Sequence, residues 1–251
     1  MPAPRLGVFG LTGCAGDQLV LLNCEDELLA LASLLDVRDF LMASSVNEVQ
    51  GELDVALVEG AVAGRRDEER LRRIRQRAGI LVALGSCAAW GGVAAIESRR
   101  SRAECLGEIY GPLAECYDST PPRALHEVVK VDLRLPGCPV EKEELLALIA
   151  HLLNGNPPPP VGWPVCAEWR MAESNCLLTD GALVCCGPLT VGGCGARCPQ
   201  LGVPCIGCRG PMEDANFAGA LALFEQKGLP REAIVAQMRT FSGRAPAGEP
   251  A

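Results

Sequence analysis

The sequence predicts an α/β chain, with a parallel sheet of doubly wound type over residues 1–155 and a small, irregular, metal-holding unit over residues 161–243. Three observations carry that prediction. Strand-like and helix-like patterns alternate through residues 5–155, Asn156-Pro-Pro-Pro-Pro160 then interrupts them, and eight of the 14 cysteines fall between Cys166 and Cys208.

The strands come first. Leu6–Phe9, Leu53–Val58, Ile80–Leu84 and Val128–Leu133 are short runs rich in branched apolar residues, the pattern of strands buried on both faces. Between and after them Asp26–Leu35, Asp67–Ala78, Ser101–Tyr110 and Glu141–Leu153 read as helices. Asp67 and the glutamates after it suit a helix start, because carboxylates offset the positive end of the helix dipole, and Gly79 suits its stop. The four prolines up to Pro160 form a stiff extended breaker, read as a boundary. Residues 161–211 show little periodic hydrophobicity, so bound metal is expected to supply much of their folding energy. Two helices, Asp214–Lys227 and Arg231–Phe241, and a polar Pro/Gly tail complete the chain.

Composition narrows the function. With 251 residues and 49% hydrophobic content the chain can bury a substantial core. A net charge of −8 argues against nucleic acid, and the arginines of 65–77 are interleaved with acids, as on a solvated helix face. No apolar run reaches the length needed to span a bilayer, and the start, Met-Pro-Ala-Pro-Arg, lacks a leader pattern. A cytoplasmic location follows as the expectation, and in that reducing compartment 14 cysteines point to metal ligation more than to disulfides.

The densest signal is G-Cys194-G-A-R-Cys198-P-Q-L-G-V-P-Cys205-I-G-Cys208-R-G. Glycine lets the backbone turn closely around a centre and proline pre-sets the loop, so four thiolates spaced in this way can converge on a soft metal. Spacing alone leaves iron–sulfur and structural zinc both open. In the sheet region, Cys14, Cys87 and Cys138 each follow a predicted strand end beside glycine. Sites in such folds lie beyond the carboxyl ends of strands, so three cysteines in this position form a candidate centre where each alone reads as a core thiol. Glu59 ends a strongly apolar run at the same edge. It reads as a backbone cap, as a hydrogen-bond partner of the Cys14 or Cys87 loop, or as part of a proton route.

Taken in order, L-T-G-Cys14, D-V-A-L-V-Glu59-G, A-L-G-S-Cys87-A-x-x-G-G, V-D-x-x-L-P-G-Cys138-P, P-V-Cys166-A-E, Cys176, Cys186-G-P-L-T and the four-cysteine run resemble the small, electron-transferring subunit of cytoplasmic group 3 [NiFe] hydrogenases. The likeness is to sulfhydrogenase delta and F420-nonreducing hydrogenase small subunits. The resemblance implies a flavodoxin-like first domain with a proximal cluster and a small iron–sulfur domain with medial and distal clusters. It assigns Cys14, Cys87 and Cys138 to the proximal cluster, Cys166, Cys176 and Cys186 to the medial, and Cys194, Cys198, Cys205 and Cys208 to the distal. It implies [4Fe–4S] centres at the proximal and distal sites.

Two positions depart from the family pattern. Asp17 stands where a second proximal cysteine is usual; it is read as an iron ligand, as a helix N-terminal residue, or as leaving the fourth iron to solvent or to Cys24. Trp169 stands where another medial cysteine is usual. Three thiolates then suit a medial [3Fe–4S] centre, or Cys185 supplies a fourth and keeps [4Fe–4S]. The resemblance further implies a hydrogenase-like large subunit holding nickel and iron, and a flavin or iron–sulfur acceptor subunit serving NAD(P) or another carrier. The alternatives are a relay subunit of a heterodisulfide-reductase-like or other electron-bifurcating complex without hydrogenase activity, and a zinc-stabilised interaction domain.

Overall fold

The computed structural model describes residues 3–48, 50–96, 100–181 and 183–242. The expected limit of the second unit at residue 243, and the polar tail beyond it, lie outside the described residues. The elements run β1 (Arg5–Gly10), α1 (Gly16–Leu22), α2 (Glu25–Leu34), β2 (Asp36–Phe40), β3 (Leu53–Glu59), α3 (Arg65–Arg77), β4 (Ala78–Leu84), α4 (Gly85–Trp90), α5 (Arg102–Tyr110), β5 (Leu133–Leu135) and α6 (Lys142–Leu153). Then follow α7 (Val165–Met171), α8 (Arg197–Gln200), α9 (Phe217–Gln226) and α10 (Arg231–Ser242).

The five strands are parallel in the order β2-β1-β3-β4-β5, the flavodoxin-like arrangement. Alternation along each strand divides the apolar residues between two faces. Leu6, Val8, Val55, Leu57, Val82 and Leu84 pack with Leu145, Leu148 and Ile149 of α6. Phe9, Ala56, Val58, Leu81 and Ala83 pack with Leu71 and Ile74 of α3. Helices therefore cover both faces, and Leu57, Leu81 and Val82 are wholly buried.

Several elements differ from the sequence expectation, among them the short helices α4, α7 and α8. The fourth expected strand, Val128–Leu133, overlaps β5 at Leu133 alone, because Leu125–Glu127 is a 3-10 turn and Asp132 is committed elsewhere. Its carboxylate accepts the Leu81 N–H at 2.9 Å and pairs with Arg75 of α3. The edge strand β2 was not expected, since three of the five residues of D-V-R-D-F are charged and it lacks an apolar run. The short helix α1 begins at Gly16, straight after the Cys14 loop, and lies outside the expected helices.

Residues after 161 pack a core that α9 and α10 complete, with Phe224, Ile234 and Met238 from those helices. Val165, Leu178, Leu189, Ala196, Phe224, Ile234 and Met238 are buried together with Cys185, Cys186 and Cys205. α10 packs back on α4 and on the 3-10 turn Gly92–Ala95, so the last helix reaches the carboxyl edge of the sheet. Among the described residues no helix is long and apolar enough to cross a membrane.

Leu57→Ala is expected to cost about 2–5 kcal/mol, the usual price of a cavity at a fully buried leucine, and to lower the urea midpoint accordingly. Asp132 gives a pH test. Burial pushes its carboxyl up, but the Leu81 N–H, Arg75 and Lys130 outweigh burial and hold it below 3.8. A lowered folded-state value means that its stabilisation is full above the unfolded value and is lost as pH falls through the folded one. Asp132→Asn should therefore destabilise the chain near neutral pH and much less in acid. Urea midpoints measured at about pH 7 and about pH 3 that differ equally between variant and wild type would sink this.

Candidate metal-cluster site

The carboxyl ends of β1, β3, β4 and β5 lie side by side, and each leads into a loop that bears a functional side chain. Cys14 follows β1 and is exposed; Ala15 takes a left-handed φ of 63°, and the Gly16 N–H points back at the Cys14 sulfur at 3.4 Å. Glu59, at the end of β3 and 2% exposed, accepts the N–H groups of Asp17 and Gln18 at 3.4 and 3.2 Å and the Gln18 amide at 2.9 Å. It thus caps α1 and holds the Cys14 loop in place, the capping role among those anticipated.

Cys87 lies in α4, and Cys138 is exposed at the Cys138–Pro139 bond. The Cys87 thiol is pushed up by burial, held down by the Ala94 N–H, and pushed up further by Asp17 and Cys14. Although the residue is exposed, loss of water around its sulfur, with Cys87, Asp17, Cys14 and Cys208 nearby, takes Cys138 to about 11. Cys14, Cys87 and Cys138 therefore share one field at the sheet edge.

Asp17 sits behind them. Its Oδ1 accepts the Val140 N–H at 2.8 Å, and its Oδ2 lies against Gly85, where a Cβ would come within 1.7 Å. Gly85 also has φ +80°, so position 85 requires glycine on both counts. Burial pushes Asp17 up to about 7, against the Val140 N–H and with help from Glu59. Cys24, the proposed reserve ligand, is buried and donates to the Val20 carbonyl at 3.2 Å.

Some of the remaining thiols line two separate pockets. Cys166, Cys176 and Cys185 line one open pocket with Trp169, Leu177 and Gly187. Cys186 turns instead to a second open pocket, with Leu189, Thr190, Gly207 and Phe217. Cys205 stands between the two: its N–H donates to the Cys185 sulfur at 3.2 Å, while its own thiol meets the Thr190 hydroxyl and the Gly207 N–H. Burial pushes Cys166 up to about 11 and Cys186 to about 12. Cys176 is lowered, because the Thr179 hydroxyl and the Thr179 and Leu178 N–H groups outweigh burial.

Cys208 joins the two halves of the molecule. Burial raises its thiol, the Cys138 N–H lowers it, and Cys194 and Cys198 raise it again. Ser86 ties the same segment down, donating to the Cys208 carbonyl and accepting the Gly137 N–H at 3.2 Å. At Cys194 burial dominates and the Ala196 and Arg197 N–H groups oppose it. Glu168 holds that loop through Gly193 and through the Ala196 N–H at 3.1 Å.

Sequence reasoning passed over Ser86, Glu168, Glu144 and Arg209. Arg209 left a trace, as the one charged residue in a run of Cys, Gly, Pro and apolar residues around 203–212. Glu144 left none, being one of several acids at the start of α6. His126 meets Trp90 edge to face at 6.5 Å, and His151 contacts the Asn156 carbonyl at 3.0 Å.

Comparison with known proteins bears on this arrangement. Residues 14–152, which include Cys14, Cys87 and Cys138, match the family described as NADH ubiquinone oxidoreductase, 20 Kd subunit. The chain belongs to that family. Within it, the chain is a small subunit of the [NiFe] hydrogenase type. It is 39% identical over 238 residues to the sulfhydrogenase 2 subunit delta of Pyrococcus furiosus, covering 95% of this chain and 99% of the relative. It is 30% identical to one of the subunits of the F420-non-reducing hydrogenase vhu of Methanocaldococcus jannaschii, covering 96% and 95%. Among solved structures, a chain of an NAD+-reducing [NiFe]-hydrogenase in the H2-reduced state superposes with a TM-score of 0.55 at 29% identity, covering 63% of this chain and 95% of that one.

This hydrogenase-type small subunit has a single C-x-x-C, Cys205 to Cys208, so it lacks the two terminal pairs of a nickel-holding large subunit. Among its described residues no three of His, Cys, Asp and Glu are set to hold a single metal ion. The thiol groups do suit iron–sulfur clusters. Backbone N–H groups already face the sulfurs of Cys14 and Cys185, as cluster ligands require for tuning. Gly92 and Gly187 leave room where a Cβ would lie 2.9 Å from the Cys87 sulfur and 3.0 Å from the Cys166 sulfur.

Glu59→Ala is expected to cost about 2–3 kcal/mol, because buried N–H groups lose a charged acceptor. It should also release the Cys14 loop. Denaturation and iron content measured together check this; an unchanged midpoint with full iron would contradict the capping role.

Proposed function

We propose that this chain relays electrons through three iron–sulfur centres between a nickel–iron site in a separate large subunit and a flavin or iron–sulfur partner that serves a cytoplasmic carrier such as NAD(P). One observation carries the reading. Thiols gather at the sheet edge and again in the C-terminal segment, and Cys208 stands near both Cys138 and the Cys194–Cys198 loop. Bound clusters would supply one-electron sites, and the chain would supply ligands, spacing and hydrogen bonds.

In this reading residues 1–155 form one unit and hold the proximal centre on Cys14, Cys87 and Cys138. Exposed Cys14 and Cys138 then face the large subunit. Glu59 fixes the approach of the Cys14 loop, and Ser86 fixes the Cys138 loop against Cys208. Asp17, bonded to the Val140 N–H, serves first as a buried support of that edge. Residues 161–243 form the second unit. A medial centre rests on Cys166, Cys176 and Cys185, with Trp169 over it to keep water out. A distal centre draws on Cys194, Cys198 and Cys208, and Cys186 and Cys205 complete the sets from between them. The thiols raised by burial reach the thiolate form only by giving their protons up to metal binding.

The departures at Asp17 and Trp169 also suit a relay of hydrogenase ancestry in a heterodisulfide-reductase-like or other electron-bifurcating complex, where altered potentials serve a different partner. The complex itself separates the two. Co-purified with its large subunit, the assembly is expected to contain nickel as well as iron and to take up dihydrogen; iron without nickel and without hydrogen turnover would establish the second reading. A ligand test accompanies it. Cys185→Ala is expected to remove the medial centre's resonance and leave the proximal one intact. An oxidised wild type with a [3Fe–4S] signal that survives Cys185→Ala would exclude Cys185 as a ligand.

A further inference from the structure

Arg209 is the largest side chain among the fully buried described residues, at 1% exposure. Its Nε donates to the carbonyls of Val191 and Gly192 at 3.1 and 2.7 Å, two residues or more before Cys194. Its Nη1 donates to the Pro136 carbonyl at 3.0 Å, two residues before Cys138. Both terminal nitrogens bind the Glu144 carboxylate of α6, at 2.6 and 2.8 Å. The Arg209 carbonyl accepts the Trp90 indole N–H at 3.1 Å, from the helix that bears Cys87. Arg209 itself follows Cys208. One residue is therefore bonded to, or adjacent to, the segments that carry Cys87, Cys138, Cys194 and Cys208. The site tolerates no extra atom at Gly193, where a Cβ would stand 2.1 Å from Glu144 Oε1 and 2.4 Å from Arg209 Nη2.

Stability alone does not account for such a pair, because desolvation of two charges offsets most of their attraction; its best-attested return is a unique arrangement of the parts it joins. Only a planar guanidinium reaches two carbonyl loops and a carboxylate at once, which a lysine cannot do. We infer that Arg209 and Glu144 form a charge-balanced brace that sets both the separation and the relative potential of two iron–sulfur centres, one on Cys14, Cys87 and Cys138 and one on Cys194, Cys198 and Cys208. This rests on the relay function proposed above. Both are positioning residues, acting through the loops they hold and through the field beside Cys208.

The test uses the anaerobically purified complex with its large subunit. Glu144→Gln keeps the shape and leaves the guanidinium uncompensated, so the reduction potential of the centre beside Cys208 is expected to move positive with iron and labile sulfide unchanged. Arg209→Met releases the loops; the magnetic interaction between the two reduced centres in electron paramagnetic resonance is expected to weaken, and electron passage between them to slow by about tenfold or more, the scale usual for loss of an outer-shell partner. Arg209→Lys keeps the charge but loses the fork, so it should weaken the interaction with little change in potential. A purely architectural role predicts no shift of potential in Glu144→Gln. The inference is overturned if that variant leaves both potentials in place, or if Arg209→Met retains full iron and an unchanged interaction spectrum. Should Arg209→Met fail to hold iron, the Glu144→Gln potential and the Arg209→Lys spectrum decide. A wild-type complex without iron–sulfur signals removes the relay function itself; clear wild-type signals with silent variants remove only the brace.

Discussion

Parallel alignment of adjacent strands is the constraint on which the rest of this structure depends. β1, β3, β4 and β5 run the same way and are neighbours, so the loops that leave their carboxyl ends share one edge. Residues separated by more than a hundred positions, Cys14 and Cys138, then feel the same local field. An antiparallel or reordered sheet would scatter those thiols between two edges. Helices on both faces bury the strands and keep that edge rigid.

The edge is finished by buried polar groups, each with its partners. Glu59 caps α1, Asp17 takes the Val140 N–H, and Ser86 joins the Gly137 loop to Cys208. Such groups are costly to bury unpaired, and each one here satisfies backbone N–H or carbonyl groups that the turns around cysteine leave open. The C-terminal segment follows the same logic on a smaller core: Glu168 holds the Cys194 loop, and Arg209 holds the segment against the sheet. Its buried apolar set includes three cysteines, so folding and ligation draw on the same atoms.

Most of the sheet, its main helices and the position of Cys14, Cys87 and Cys138 were legible in the sequence, because strand and helix periods are local and these cysteines lie near glycine. Leu53–Val58 and Ile80–Leu84 fall inside β3 and β4, and Glu141–Leu153 matches α6 within a residue. β2 was illegible because an edge strand needs only one apolar face, and D-V-R-D-F offers almost none. Residues 128–132 look like a strand by composition but form a turn and an anchor, since Asp132 binds the Leu81 N–H and Arg75 of α3. The two last helices were legible, but the part of this core before residue 212 was not, because Val165, Leu178, Leu189 and Ala196 come from short, widely spaced pieces that show no period.

What the sequence by itself determined is the chemistry available: soft thiolate donors in number, glycine and proline to bend the chain around them, and parallel strands to deliver three of them to one edge. The tertiary structure decided which thiols stand near one another. Cys185 and Cys186 are neighbours in the chain, yet they face different pockets, and Cys208 lies beside Cys138 as well as its own loop. Residue spacing cannot specify these outcomes, since they follow from how one packed unit is oriented on another. Here that orientation rests on long-range bonds such as those of Arg209 to Pro136 and Glu144.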